Sequence, residues 1–226
     1  MTRRAVLIFA RSPEAEAAAK NLPIEKAARL FRSLLDSWLD AARACGATPI
    51  IASSTPLPVD ALHIEQRGAA FGERLANSSS DAWNLGFDSL LIAGIDAPPP
   101  PRLDQAFVAL ESGSVDAVVV PAHDGGLNLI GLRSPAFEFL STVRLRDRDL
   151  LRRCRSFFPS IFILPAISDV DSLEDVASAR HEEAWADYFD LLSACVTPRL
   201  SGTPRFSTTS PAFGHPTQTR APPLAL

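Results

Sequence analysis

The sequence predicts an α/β fold built on a parallel sheet, and three features carry that prediction. Continuous apolar runs at Ala5–Ala10 (AVLIFA), Thr48–Ala52 (TPIIA) and Ser89–Ala93 (SLLIA) have the length of strands buried on both faces. Segments of helical period lie between them, so strand and helix alternate along the chain. A strand–helix–strand unit of this kind needs a crossover, which is right-handed in nearly all known cases.

The elements follow in order. Arg4 and Arg11 bound the first strand, and the polar, alanine-rich stretch Ser12–Pro23 reads as a loop. From Ile24 the period is helical: Ile24, Ala27, Ala28, Phe31, Leu34, Leu35, Trp38, Ala42 and Cys45 form one stripe, and Gly46 stands at the helix stop. After TPIIA come a short strand at Leu62–Glu65 and a helix at Phe71–Phe87 with Leu75, Ala82 and Trp83 inward. Gly94 and the Pro98–Pro101 run end the strand SLLIA. Leu103–Leu110 reads as helix, Ala117–Val120 and Leu127–Leu132 as strands, Arg144–Phe157 as a strongly basic helix and Ile161–Leu164 as the last strand. A final helix is expected over Ser172–Leu192, with Ser172 and Asp175 at capping-box spacing.

Length and composition set the organisation. The 226 residues suit one domain at 1–196 and a tail at 197–226 that is rich in Pro, Thr and Ser, has no acidic side chain and is expected to be disordered. Three of the 22 Lys and Arg (Arg199, Arg205, Arg220) lie in that tail, so the net charge of −4 becomes about −7 for the domain. An acidic domain is not a general nucleic-acid binder. The first apolar run is shorter than the ~7–15 residues of a signal h-region, and no stretch reaches the ~20 of a membrane span. Cys45, Cys154 and Cys195 are odd in number and far apart, which excludes a disulfide framework or zinc ribbon and points to a reduced cytoplasm.

In open α/β sheets ligands bind beyond the carboxyl ends of the strands, so the loops there are the places to search. Asp96 follows SLLIA between Gly94 and Pro98; an aspartate so held either caps a turn or ligates a hard cation such as Mg²⁺ or Mn²⁺. Asp124-Gly125-Gly126 is first a hairpin turn; paired glycines also admit close approach of a substrate, and His123 adjoins them. Asp169 and Asp171 alternate, so in extended backbone both carboxylates face one way; they either share a cation or one serves the helix that follows. The first loop has no glycine and only Arg11 and Lys20 as cations, which excludes a dinucleotide fingerprint and a P-loop. Arg74, near a helix start after Gln66-x-Gly68, either clamps a phosphate or makes a surface ion pair.

In this order QRGAAFGERL, LLIAGIDAP, VVVPAHDGGLNLIGL and DVDSLEDV resemble a bacterial family of GT-A-type, glycosyltransferase-like proteins. That family has been called a domain of unknown function and a selenodomain-associated transferase. The resemblance covers roughly residues 4–180, and is more distant to molybdopterin-guanylyl and phospholactate-guanylyl nucleotidyltransferases. It implies a Rossmann-like, three-layer α/β/α domain with a mostly parallel mixed sheet. It further implies Asp96 as metal ligand and catalytic acid-bearing residue, with Asp171 or Asp169 as second ligand to Mg²⁺ or Mn²⁺. A nucleotide-activated small molecule would lie over the first-strand loop, with Arg11, Lys20 and Arg74 facing phosphates. The acceptor or sugar would lie near Asp124, Gly125 and Gly126.

The activity so implied is transfer of a glycosyl or nucleotidyl group from a nucleotide donor. The chain departs from the family in its first loop, where P-x-x-G-x-V-K-T-R-L is replaced by PEAEAAAKNLP. The family's tyrosine after Gly-Gly is Leu127, its acid before Asp124 is His123, and its W-S-T segment keeps only Ser141-Thr142. Those departures support a second reading, a catalytically degenerate GT-A domain kept as a binding or regulatory module.

Overall fold

The computed structural model describes residues 2–196, and the expected tail at 197–226 lies outside them. Seven strands form one sheet: β1 (Arg4–Phe9), β2 (Thr48–Ser53), β3 (Leu62–Glu65), β4 (Ser89–Ala93), β5 (Ala117–Pro121), β6 (Leu127–Leu132) and β7 (Ile161–Ile163). Their spatial order is β3-β2-β1-β4-β6-β5-β7. β1 is parallel to β2 and β4, β2 to β3 and β5 to β7, while β6 alone runs antiparallel to its neighbours β4 and β5. The sheet is therefore mixed and mostly parallel, and Asp124-Gly125-Gly126 is the hairpin turn between β5 and β6.

Alternation along each buried strand divides the core into two layers. Val6, Ile8, Ile51, Leu91 and Val118 point to one face, which is covered by α2 (Ile24–Ala44), α4 (Leu103–Glu111), α7 (Leu173–Ala179) and α8 (Phe189–Val196). Ala5, Leu7, Ile50, Leu90 and Val119 point to the other, covered by α3 (Phe71–Asn84), α5 (Phe137–Ser141) and α6 (Leu150–Phe157). A single residue of register slip would exchange these sets, which is why the continuous apolar runs were legible as two-sided strands. On α2 the expected stripe is buried from Ala27 to Ala42, with Leu30 and Leu39 added; Ile24, at its first turn, is exposed.

Three expectations are corrected. The stretch Ser12–Pro23 is not all loop but contains α1 (Pro13–Ala19), started by Ser12, whose side chain accepts from the Ala15 N–H, and by Pro13 in the first turn. The basic segment Arg144–Phe157 is helical only from Leu150; Val143–Asp149 is an irregular loop, in which Arg146 adopts φ +58°. The final helix is broken: α7 ends at Ala179, a 3-10 turn runs over Glu183–Tyr188, and α8 follows. Between α7 and the 3-10 turn Glu182, in extended backbone, accepts from the backbone N–H and the hydroxyl of Ser168.

The strand order places β1 between β2 and β4, so chain connections leave β1 and β4 toward opposite edges. The cleft beyond their carboxyl ends is the switch point of the sheet, the usual ligand position in this architecture.

Candidate functional site

Asp96 stands just beyond β4 at that switch point. Ile95 and Ala97 on either side are buried at 2% exposure, so Asp96 projects into the cleft between two anchored neighbours. Trp38 of α2 donates through Nε1 to the Ala97 carbonyl at 2.9 Å and holds the turn from below. Gly94 makes room for the carboxylate: a Cβ there would lie 2.7 Å from Asp96 Oδ1.

The second pair of acids arrives on the segment after β7. Asn128 of β6, buried, donates to the Ile167 carbonyl at 2.6 Å, and Trp185 Nε1 donates to the Ser168 carbonyl at 3.0 Å. Val170 is fully buried and its N–H donates to the Asp96 carbonyl at 2.9 Å. With Val170 inward, Asp169 and Asp171 turn to the cleft together, as their spacing predicts. Neither serves as the helix cap, because the Ser172 hydroxyl accepts from the Asp175 N–H at 3.3 Å and begins α7. The ligand atoms of Asp96, Asp169 and Asp171 all lie within 4.8 Å of one another.

Lys20, at the end of α1, closes this group from below and is 8% exposed. Its Nζ lies 2.5 Å from Asp171 Oδ1, 2.8 Å from the Val170 carbonyl, 3.2 Å from Asp96 Oδ2 and 3.4 Å from Glu16 Oε1. Burial alone would lower its pKa; Asp96, Asp171 and Glu16 outweigh that and raise it, so the ammonium stays charged. Asp169 makes no such contact. Burial, followed by the charges of Asp96 and Asp171, pushes its pKa up to about 7. Lys20, expected to face phosphates, is thus engaged with carboxylates in this structure.

A divalent ion fits these donors. Carboxylate oxygens are the ligands that Mg²⁺ and similar hard cations take, and two oxygens bound at ~2.0–2.6 Å lie at most ~5 Å apart. The trio, within 4.8 Å, stands at the upper end of that range, and the shorter bonds of Mg²⁺ would draw the side chains closer together.

Two adjoining cavities flank the acids. One, of about 190 Å³, is mostly apolar, with Phe9, Phe71, Ile92 and Phe139 in its wall and Arg11 and Arg74 among its polar residues. The other, of about 180 Å³, holds Asp96, Asp169, Asp171, Lys20, Asp124 and Gly126. Arg11 borders both and lies 3.5 Å from Glu16, while Arg74 donates to the Ala69 carbonyl at 3.1 Å and borders only the apolar cavity. Asp124 accepts from the Gly126 N–H at 2.9 Å, and its charge contributes to the raised pKa of Asp169. Gly125 has φ +98°, and a Cβ there would come within 2.1 Å of the Arg148 carbonyl oxygen, so its side faces the protein. His123 lies 3.8 Å from Glu182 and borders neither cavity.

Sequence reasoning missed three contributors: Glu16, placed four residues before Lys20 on α1; Asn128; and the arginines of Val143–Asp149. The Arg-x-Arg-x-Arg alternation at Arg144, Arg146 and Arg148 was the available signal for an extended rather than helical segment there.

Residues 39–146 match the model of a family described as an uncharacterized protein conserved in bacteria (DUF2064). The matched stretch contains the QRGAAFGERL, GIDAP and HDGG motifs, so the resemblance read from them is shown. None of the curated proteins matches the chain. Among solved structures, the chain resembles a candidate nucleotide-diphospho-sugar transferase from Desulfovibrio desulfuricans G20, with 23% identity, 86% of this chain and 98% of that one covered, and a TM-score of 0.65. A cytidylyltransferase from Leptospira borgpetersenii is similar over 86% of this chain and 95% of its own, at 15% identity and TM-score 0.51. A Mycobacterium tuberculosis H37Rv protein crystallised in complex with manganese is similar over 85% of this chain and 100% of its own, at 13% identity and TM-score 0.50. At these identities the likeness is one of fold, and the fold is the α/β architecture of nucleotide-diphospho-sugar transferases. No described helix is long and apolar enough to cross a membrane.

Proposed function

We infer that the chain is a metal-dependent transferase that moves a glycosyl or nucleotidyl group from a nucleotide-activated donor to a small acceptor. The observation that carries this reading is the convergence of Asp96, Asp169 and Asp171 within 4.8 Å at the switch point of the sheet. The manganese complex of a protein with a similar fold supports it. These three aspartates would hold Mg²⁺ or Mn²⁺, whose chemistry is Lewis-acid neutralisation of charge on the leaving phosphate oxygens. Lys20 holds Asp96 and Asp171 in position through its contacts at 3.2 and 2.5 Å. Asp124 and Gly126 line the acidic cavity at the hairpin tip, where Asp124 would accept a proton from an acceptor hydroxyl and Gly126 would let that acceptor approach the backbone. Arg11 borders both cavities and would face the donor phosphates where they pass from one to the other. We assign this chemistry to the cytoplasm, in keeping with three cysteines that are all free.

A degenerate binding module is the second reading. It is favoured by one observation: where the resembled family carries a glycine and basic residues, this chain has α1, whose first turn carries Glu14 and Glu16. Calorimetric titration of UDP, GDP and CTP, with and without Mn²⁺, separates the two. Metal-dependent binding that falls by about 100-fold or more in Asp96→Ala, a loss of ~3 kcal/mol, is the result expected of the transferase. Absence of binding by every nucleotide at millimolar concentration removes that reading.

A further inference from the structure

We propose that the loop Val143–Asp149 is a phosphate-binding strap, in which Arg144 and Arg146 supply the cationic surface that the α1 side of the cleft lacks. The proposal rests on the transferase reading for the adjoining metal, but not for the binding of phosphate itself.

Position comes first. Arg144 and Arg146 border the acidic cavity, as Lys20 does. Lys20 is held by Asp96, Asp171 and Glu16, whereas Arg11 stands 3.5 Å from Glu16 with its side chain 43% exposed. On the strap side the guanidiniums are held loosely. Arg146 Nε stands 3.6 Å from Asp171 Oδ2 with its side chain 64% exposed. Arg148 Nε stands 3.9 Å from Asp124 Oδ2 with 81% exposure. These separations exceed hydrogen-bond length. Arg144 is exposed and has no ion pair among the described residues. An anion entering the cavity therefore meets guanidiniums that need break no strong bond to receive it.

The strap is also a built feature rather than an unsupported loop. Gly125 at the hairpin tip packs against the Arg148 carbonyl, and the Leu151 N–H donates to the Gly125 carbonyl at 3.2 Å. Arg153 joins both ends of the strap, pairing with Asp147 and donating to the Thr142 carbonyl at 3.2 Å. Arg146 occupies the left-handed region at φ +58°, a conformation that a residue with a side chain rarely adopts. Guanidinium forks match phosphate oxygens in pairs, which makes phosphate the chemistry these residues fit. The phosphate belongs either to the donor's diphosphate chain or to a phosphorylated acceptor.

The test uses the full chain, with inorganic pyrophosphate, inorganic phosphate and UDP, GDP and CDP as probes and Mn²⁺ titrated separately. The double variant Arg144→Gln/Arg146→Gln is expected to bind pyrophosphate or nucleoside diphosphate roughly 10- to 100-fold more weakly, the worth of one or two charged hydrogen bonds. Its salt dependence should be shallower, its affinity for Mn²⁺ alone undiminished and its circular dichroism unchanged. Arg146→Lys should recover part of the loss, and Arg155→Gln on α6 should bind as wild type. Competition between inorganic phosphate and nucleoside diphosphate assigns the strap to the donor; simultaneous occupancy assigns it to a phosphorylated acceptor. The proposal is overturned if the double variant binds every probe as wild type does, or if wild type binds none at millimolar concentration. If Asp96→Ala abolishes nucleotide binding while the arginine variant does not weaken it, the strap falls and the transferase reading stands. If wild type binds no Mn²⁺ yet loses pyrophosphate affinity with the arginines, the strap stands and the metal-dependent reading falls.

Discussion

The two sides of the acidic cleft solve the same electrostatic problem in opposite ways. On one side α1 brings Glu16 and buries a single ammonium, Lys20, among three carboxylates. On the other, Val143–Asp149 carries three exposed arginines whose nearest acids are 3.6–3.9 Å away or absent among the described residues. The buried cation organises the site because a desolvated charge needs its partners close. The exposed cations are screened and exchange partners at little cost. One side is therefore suited to hold carboxylates for an ion, and the other to receive an anion.

Lys20→Met should break this contrast most severely. It leaves Asp96, Asp171 and Glu16 clustered without their shared cation, at a cost of about 2–4 kcal/mol at neutral pH, lowered from the full buried-pair value because the acids are partly exposed. Urea unfolding checks the figure, and added Mn²⁺ should return part of the loss. A variant as stable as wild type would show that Lys20 is not what holds the trio together.

Gly125→Ala acts on the other side. The substitution places a Cβ on the Arg148 carbonyl at a positive φ, so the strap must shift, at a cost of about 1–3 kcal/mol. Nucleoside diphosphate affinity should fall along with stability, whereas Mn²⁺ binding should not. Equal loss of both would mean that the two sides are not independent.

Asp169 probes the floor between them. Its folded pKa, about 7, is above the unfolded carboxyl value, so the folded state binds the proton more tightly. The group therefore contributes no penalty below about pH 4; its penalty builds between about pH 4 and 7 and is complete above that. Asp169→Asn should be more stable than wild type at pH 8 by about 1–2 kcal/mol and indistinguishable from it near pH 4, measured by denaturant midpoint. Saturating Mn²⁺ should reverse the order at pH 8, since the ion binds the carboxylate. A difference independent of pH would place the cause in packing instead.

Much of this was legible in the chain. SLLIA could only be a strand buried on both faces, and an aspartate three residues past its end had to stand at the sheet's carboxyl edge. Asp169 and Asp171 were legible as a pair because Val170 between them is apolar and must turn inward. Where an apolar pattern of period two or 3.6 existed, the boundaries fell within about three residues, α3 ending at Asn84 rather than Phe87. Reading failed where that pattern was absent. In α1 only Pro13 and Ala17 are buried, too few for a stripe, although Ser12, Pro13 and the first-turn acids formed a helix start in plain view. The strap was mistaken for helix because a run of arginines has no face.

Local chemistry settled the strands, the long helix α2, the β5–β6 turn and the identity of the acids, because burial of apolar side chains is encoded residue by residue. Tertiary structure alone decided what those acids meet. It brought Lys20 across 76 and 151 residues to Asp96 and Asp171, aimed the Val170 N–H at the Asp96 carbonyl, and seated the arginine loop on Gly125. Contacts between segments so distant in sequence have no periodicity to betray them; they exist only once the sheet has set its strand order and both layers have packed upon it.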